Sequence, residues 1–112
     1  MSKQLVYMTA GSLEEARQIG AQLVADRLAA CVNIIEGMHS IYRWEGELQQ
    51  DREVVMIAKT TRDRLPALIE AVKVRHSYDC PCIVSVAIDG GNPAFLEWIG
   101  REVEAENTSP DE

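Results

Sequence analysis

Eight residues, "HSYDCPCI" from His76 to Ile83, bring an imidazole, a carboxylate and two thiols into one short stretch. Cysteine and histidine are soft to borderline ligands suited to Cu(I), Cu(II) or Zn. A single Cys-x-Cys is an incomplete ligand set, because a closed transition-metal site needs further spaced donors. Met8 would add a thioether if the fold brought it close. Periodicity weighs the other way. In a strand begun by Cys80, residues Cys80, Cys82, Val84, Val86 and Ile88 share the more apolar face, and a free cysteine often packs as a small hydrophobe. Packing is therefore the reading for Cys82, whereas Cys80, at the strand mouth before Pro81, stands between ligand and filler. His76 follows Arg75 at a helix end, where a cation favours the helix dipole. Histidine is also the commonest metal ligand. Cys31, at a helix-to-strand junction, is expected to pack, and His39 to lie on a strand surface. No His-plus-carboxylate arrangement accompanies any thiol, so none reads as a catalytic nucleophile.

The elements that must position these groups are legible. Lys3 to Thr9 reads as a strand. Ser12 with Glu15 three residues on forms a capping box for a helix through Ala30, with Leu13, Ala16, Ile19, Leu23, Val24 and Leu28 at helical spacing. "CVNIIEGMHSIYRWE" is rich in β-branched and aromatic residues, with Gly37 at a bulge or bend. Gly46 turns the chain, and "ELQQDREVVMIAKTT" returns, its polar half projecting beyond the core as the outer part of a long hairpin. Thr61 is expected to cap a second helix carrying Leu65, Leu68, Ile69 and Val72 inward. "PCIVSVAI" has the continuous apolar character of a central strand. Asn92 and Pro93 open a third helix through Phe95, Leu96, Ile99 and Val103. The order is β-α-β-β-α-β plus a C-terminal helix, an α+β ferredoxin-like plan with an extended β-hairpin. Residues 1–106 form one domain, and 107–112 an acidic tail expected to be disordered.

Bulk composition narrows the function. The chain has 112 residues, a net charge of −7 and three cysteines. An acidic balance argues against nucleic acid or an anionic membrane as partner, although Lys59 to Arg75 carries a local excess of bases that could serve an anion. There is no apolar stretch of membrane-spanning length and no signal-peptide core. An odd number of thiols suggests a reducing compartment, the cytoplasm. No P-loop, dinucleotide fingerprint or HExxH pair is present, so an enzyme is not expected.

Five blocks in order, "RLAACVNI", "SIYRWEGELQ", "VVMIAKTT", "RHSYDCP" and "GNPAFLEWI", resemble the CutA family of divalent-cation tolerance proteins from about Leu5 to Ile99. The resemblance implies a homotrimer similar to that of PII signalling proteins, with long hairpins reaching neighbouring subunits, and a connection with copper and other divalent metals. It supports His76 as the first ligand, with copper as the possible metal; Cys80 second and Cys82 third are added on the softness of their thiols. The sequence departs from the family pattern at Ser77, Asp79 and Cys82, which stand where Pro, Glu and Glu are usual, and at Met8, where many members carry Cys. As an alternative to metal binding, the PII likeness implies a cleft between subunits, lined by Tyr42, Trp44, Lys59, His76 and Tyr78, binding a small anion or metabolite and altering contact with a partner protein. Tyr and Trp also suit plain interface packing. Lys59 is harder to explain by packing, because a buried ammonium needs a partner.

Overall fold

The structure is a computed structural model that describes residues 2–104; the acidic tail at 107–112 lies outside the described residues. The elements run β1 (Lys3–Ala10), α1 (Leu13–Ala25), β2 (Cys31–Trp44), β3 (Glu47–Thr61), α2 (Leu65–Arg75), β4 (Ile83–Ala87) and α3 (Pro93–Glu102). The four strands form one antiparallel sheet in the order β2-β3-β1-β4. This is the expected α+β plan with one correction. β4 is an edge strand, not a central one.

Helices α1 and α2 cover one sheet face. Val6, Met8 and Ala10 of β1 and Val54, Met56 and Ala58 of β3 join Ala16, Ile19 and Leu23 of α1 and Leu68 and Val72 of α2 in the main core. Gly20 lets α1 sit close on β2, since a Cβ there would stand 3.2 Å from Val32 Cγ1. α1 stops at Ala25, short of Ala30. Leu28 N–H donates to Leu23 O and Arg27 N–H to Val24 O, with Arg27 at φ 57°, a Schellman closure made without glycine. α2 starts from Arg64 with no side-chain cap; Thr61 lies in β3 and its hydroxyl donates to Asp63 instead. Asn92 caps α3 as expected, accepting from Ala94 N–H at 3.1 Å, with Pro93 in the first turn. Ile99 and Val103 of this last segment pack with Ala30 in a second, smaller core.

β1 pairs with β3 only from Val54 onward, so the hairpin of β2 and β3 overhangs the sheet, and the described residues span 56 × 31 × 22 Å. Its ladder shifts register between Ile35 and Met38, around Gly37 at φ 85°. The bulge lies where the sequence places it. Glu45 (φ 50°) and Gly46 (φ 80°) form the two-residue turn at the tip, the positive-φ pair that matches strand twist.

The second sheet face meets a helix only at its Lys3 end, where Gly100 of α3 lies against Lys3 and Ile88 packs with Ile99 and Val103. Residues directly opposite in antiparallel strands share a face, which puts Leu5, Tyr7, Ile35, Val55, Ile57, Val84 and Val86 together there. Val84 and Val86 are 57% and 61% exposed. The apolar run of β4 thus reflects a face left open within the single chain, and Cys82, at the head of that strand, is exposed and not in the core.

Candidate functional site

The hairpin overhang and the segment between α2 and β4 enclose a groove of about 740 Å³ on the open side of the sheet. Register decides what reaches it. Past the bulge, Met38, Ser40, Tyr42 and Trp44 stand opposite Glu53, Asp51, Gln49 and Glu47. Alternation turns Arg43 and Arg52 to the other side. From the far wall come Tyr78, Asp79, Cys80 and Cys82, and from the floor Tyr7 and Thr9.

Residues 76–82 form a connection without regular structure, and two buried anchors hold it. The first is His76, the C-cap of α2, whose N–H donates to Val72 O. Its side chain is folded inward, 1% exposed. Nε2 lies 2.7 Å from Thr9 O, while Nδ1 accepts the Tyr78 N–H at 3.0 Å. A carbonyl can only accept, so the proton sits on Nε2, and the Nδ1 lone pair is engaged. The second anchor is Glu15. Ser12 Oγ accepts Glu15 N–H as the capping box requires, but the carboxylate does not return to Ser12. It accepts from Ser77 N–H at 2.7 Å, Ser77 Oγ at 3.1 Å and Gly11 N–H at 3.3 Å. Burial alone would raise the Glu15 pKa; the Ser77 and Gly11 donors and nearby His76 outweigh it and hold the carboxyl below its ordinary value.

Within the groove the polar groups face carboxylates. The Tyr78 hydroxyl donates to Glu53 at 3.2 Å, and that of Tyr42 to Asp51 at 2.6 Å. Burial, then the Glu53 charge and hydrogen bond, push Tyr78 up to about 12. Burial and Glu53 also raise the Cys82 thiol. The Tyr7 hydroxyl donates to the Met38 sulfur at 3.2 Å.

The structure brings Cys80, Cys82, Tyr42, Trp44 and Tyr78 to one groove and leaves two residues out. His76 lies beneath Tyr78, ring centroids 4.7 Å apart, and does not line it. Lys59 sits six residues along β3 from Glu53, roughly 20 Å at the rise of a strand. Its ammonium finds Asn33 Oδ1 at 2.7 Å and Cys31 Sγ at 3.8 Å. Met8, the thioether considered from sequence, is fully buried on the helix-covered face; Met38 supplies one in its place. Sequence reasoning also missed Glu53 and Glu15. Glu53 could have been suspected as the acid nearest the apolar half of β3. Among the described residues, no three His, Cys, Asp or Glu side chains gather as a ready metal cage.

Comparison with known proteins agrees with this architecture. The model of the CutA1 divalent ion tolerance protein family matches residues 4–102. The "Divalent-cation tolerance protein CutA" of Thermus thermophilus is 46% identical over 97 residues, covering 87% of this chain and 94% of that protein. The rice (Oryza sativa subsp. japonica) "Protein CutA 1, chloroplastic" is 42% identical over 95 residues, 85% of this chain but only 54% of that protein, so the chain spans about half the length of this plant relative. The solved structure of the Thermus thermophilus "Divalent cation tolerance protein (Cut A1)" superposes with a TM-score of 0.88 at 45% identity, covering 89% of this chain and 97% of that one. With the family matched over nearly its whole length and its architecture shared with a solved member, the chain belongs to the CutA1 divalent ion tolerance protein family.

Proposed function

We propose that this protein acts in divalent-cation tolerance by reversibly binding a soft transition-metal ion, copper foremost, without catalysing a reaction. One observation carries the proposal: Cys80 and Cys82 border the same groove as the Met38 thioether. Two thiolates and a thioether form a soft donor set that favours Cu(I) over hard cations. His76 would join them only by releasing the Tyr78 N–H, and otherwise sets the course of the loop that carries both thiols. Three free cysteines suit a reducing compartment, so the cytoplasm is the proposed location. No helix among the described residues is long and apolar enough to cross a membrane.

The proposed assembly is a homotrimer. Its support is the open sheet face, where Val84, Val86 and Ile35 are exposed, an apolar extent that marks an interaction surface. The gathering of Tyr42, Trp44 and Tyr78 in the groove supports a second reading, the PII-like module that binds a small molecule and signals to a partner protein. Lys59 lies outside that groove, so an anion would lack its expected counter-charge there.

The metal proposal is tested by titrating Cu(I) and Zn into the reduced protein by calorimetry, with native mass in parallel. Stoichiometric Cu(I) binding lost in Cys80→Ser, Cys82→Ser and Met38→Leu is the expected result, with His76→Ala losing less. Absence of any binding tighter than millimolar in an intact oligomer overturns the proposal.

A further inference from the structure

Along β3 the open face presents Glu53, Val55, Ile57 and Lys59 in turn, an acid and a base at the two ends of an apolar stretch. Tyr7 and Val84 continue the row of Ile57, and Leu5 and Val86 that of Lys59, so the apolar character extends across three strands. Neither charge meets an opposite one in its own chain. Lys59 Nζ finds an amide oxygen, Asn33 Oδ1, at 2.7 Å and Cys31 Sγ at 3.8 Å. Glu53 accepts from the Tyr78 hydroxyl at 3.2 Å. Among the described residues neither enters an ion pair, and both are already half-buried.

Covering this face with another subunit takes both groups further out of water, which is costly for a charge that gains no counter-charge. The two cannot serve each other within one chain, because they stand roughly 20 Å apart along the strand. A trimer closed by one repeated contact has a heterologous interface, in which a patch of each subunit meets a different patch of the next. An apolar strip with opposite charges at its ends is complementary to its own copy in that arrangement. The basic end of one subunit lies on the acidic end of the next, three times round the ring. Other charges on this side fit less well. Asp51 and Glu47 on the hairpin and Asp79 on the connection are exposed and can keep their water, while Lys3 lies against Gly100 of α3.

We propose that Glu53 pairs with Lys59 of the partner subunit, so that the groove of each chain is completed by a cation from the next. The inference rests on the homotrimer proposed above and adds the register in which its subunits meet. Glu53 lines the groove with Tyr78 and Cys82, so the incoming ammonium enters the same site. Complementary charge of this kind fixes register and excludes wrong pairings more than it adds affinity. A face of interchangeable aliphatic side chains lacks that discrimination by itself.

Carbodiimide treatment of the full chain tests the contact directly, since it condenses a carboxylate and an amine in contact into an amide with loss of water. Within one chain Glu53 and Lys59 are too far apart to condense, so a link between them joins two subunits. The expected result is covalently joined chains on a denaturing gel, with the Glu53–Lys59 link identified by peptide mass spectrometry. Native mass on dilution follows the assembly. Glu53→Lys and Lys59→Glu should each raise the concentration at which the oligomer dissociates by at least about tenfold, and the double exchange should restore it. Should a reversal prevent folding, Glu53→Gln, Lys59→Met and their combination form a cycle whose losses should be non-additive. A wild-type chain that is monomeric in native mass would remove the trimer and this contact together. An intact wild-type trimer that yields no such link, or a double exchange that dissociates as readily as the single reversals, would overturn the contact and leave the trimer standing.

Discussion

Glu15 ties the N-terminus of α1 to the loop that carries both thiols, and replacing it with glutamine tests whether the charge makes that tie. In wild type the carboxylate receives three donors at 2.7, 3.1 and 3.3 Å, with the side chain 17% exposed. Glutamine keeps the shape and one acceptor oxygen but turns an NH2 group toward the remaining donors. Hydrogen bonds to a charged group contribute about 1.5–3 kcal/mol each when well formed. Losing one strong bond and straining the 3.3 Å contact, less the relief that partial exposure allows, gives about 2 kcal/mol. At about 4 °C per kcal/mol for a chain of this size, the midpoint should fall by about 8 °C.

The pH dependence is the sharper part. Because the folded-state pKa of Glu15 is depressed, its contribution is fully present above the unfolded value of about 4.3 and is lost as pH falls through the folded-state value. A protonated Glu15 resembles glutamine, so wild type and Glu15→Gln should converge on acidification. Urea unfolding from neutral pH down to about pH 3, at one protein concentration, measures the gap. A gap independent of pH, or smaller than about 0.5 kcal/mol at neutrality, would refute the role of the charge.

Three further outcomes are expected. Spectroscopic titration should show one tyrosine ionising near 12, identified as Tyr78 by its loss in Tyr78→Phe; because this pKa is raised, its contribution to stability holds below the unfolded value of about 10 and fades between there and about 12. At neutral pH Cys82 should alkylate faster in Glu53→Gln than in wild type, since burial and the Glu53 charge raise its thiol, with peptide mass spectrometry following the site. Glu45→Asn should raise the unfolding midpoint in calorimetry by the equivalent of about 0.5–1 kcal/mol, because Glu45 holds φ 50° in the hairpin turn and asparagine tolerates that conformation better.

Local signals carry far in this sequence, and non-local ones do not. Asn92 with Pro93, Gly37 at the bulge and the Glu45-Gly46 turn each specify backbone through their own chemistry, and each appears as expected. The ladder of Tyr42 and Trp44 follows from alternation. β4 misleads because an apolar run looks the same whether its own helices cover it or nothing in the chain does. The same ambiguity points Cys82 to the core, where strand period is right but face is wrong. Thr61 offers a capping hydroxyl, yet β3 continues through it. The groove itself depends on pairs remote in sequence, Tyr7 with Met38 and Tyr78 with Glu53, which no local pattern encodes. His76 is legible as a helix end, but not the engagement of both its ring nitrogens.

The position of β1 in the sheet bears on how the chain is made. Lys3 must meet Thr61 and Gln4 must meet Ala87, so the earliest-made strand of this sheet is the last to have both neighbours. The β2-β3 hairpin, closed by a two-residue turn, can zip within microseconds of its emergence, and α1 can form beside it. Until β4 follows, one edge of "LVYM" stays unpaired, at synthesis rates of about 5–20 residues per second. A nascent chain stalled between α2 and β4 should thus be the species most in need of a chaperone.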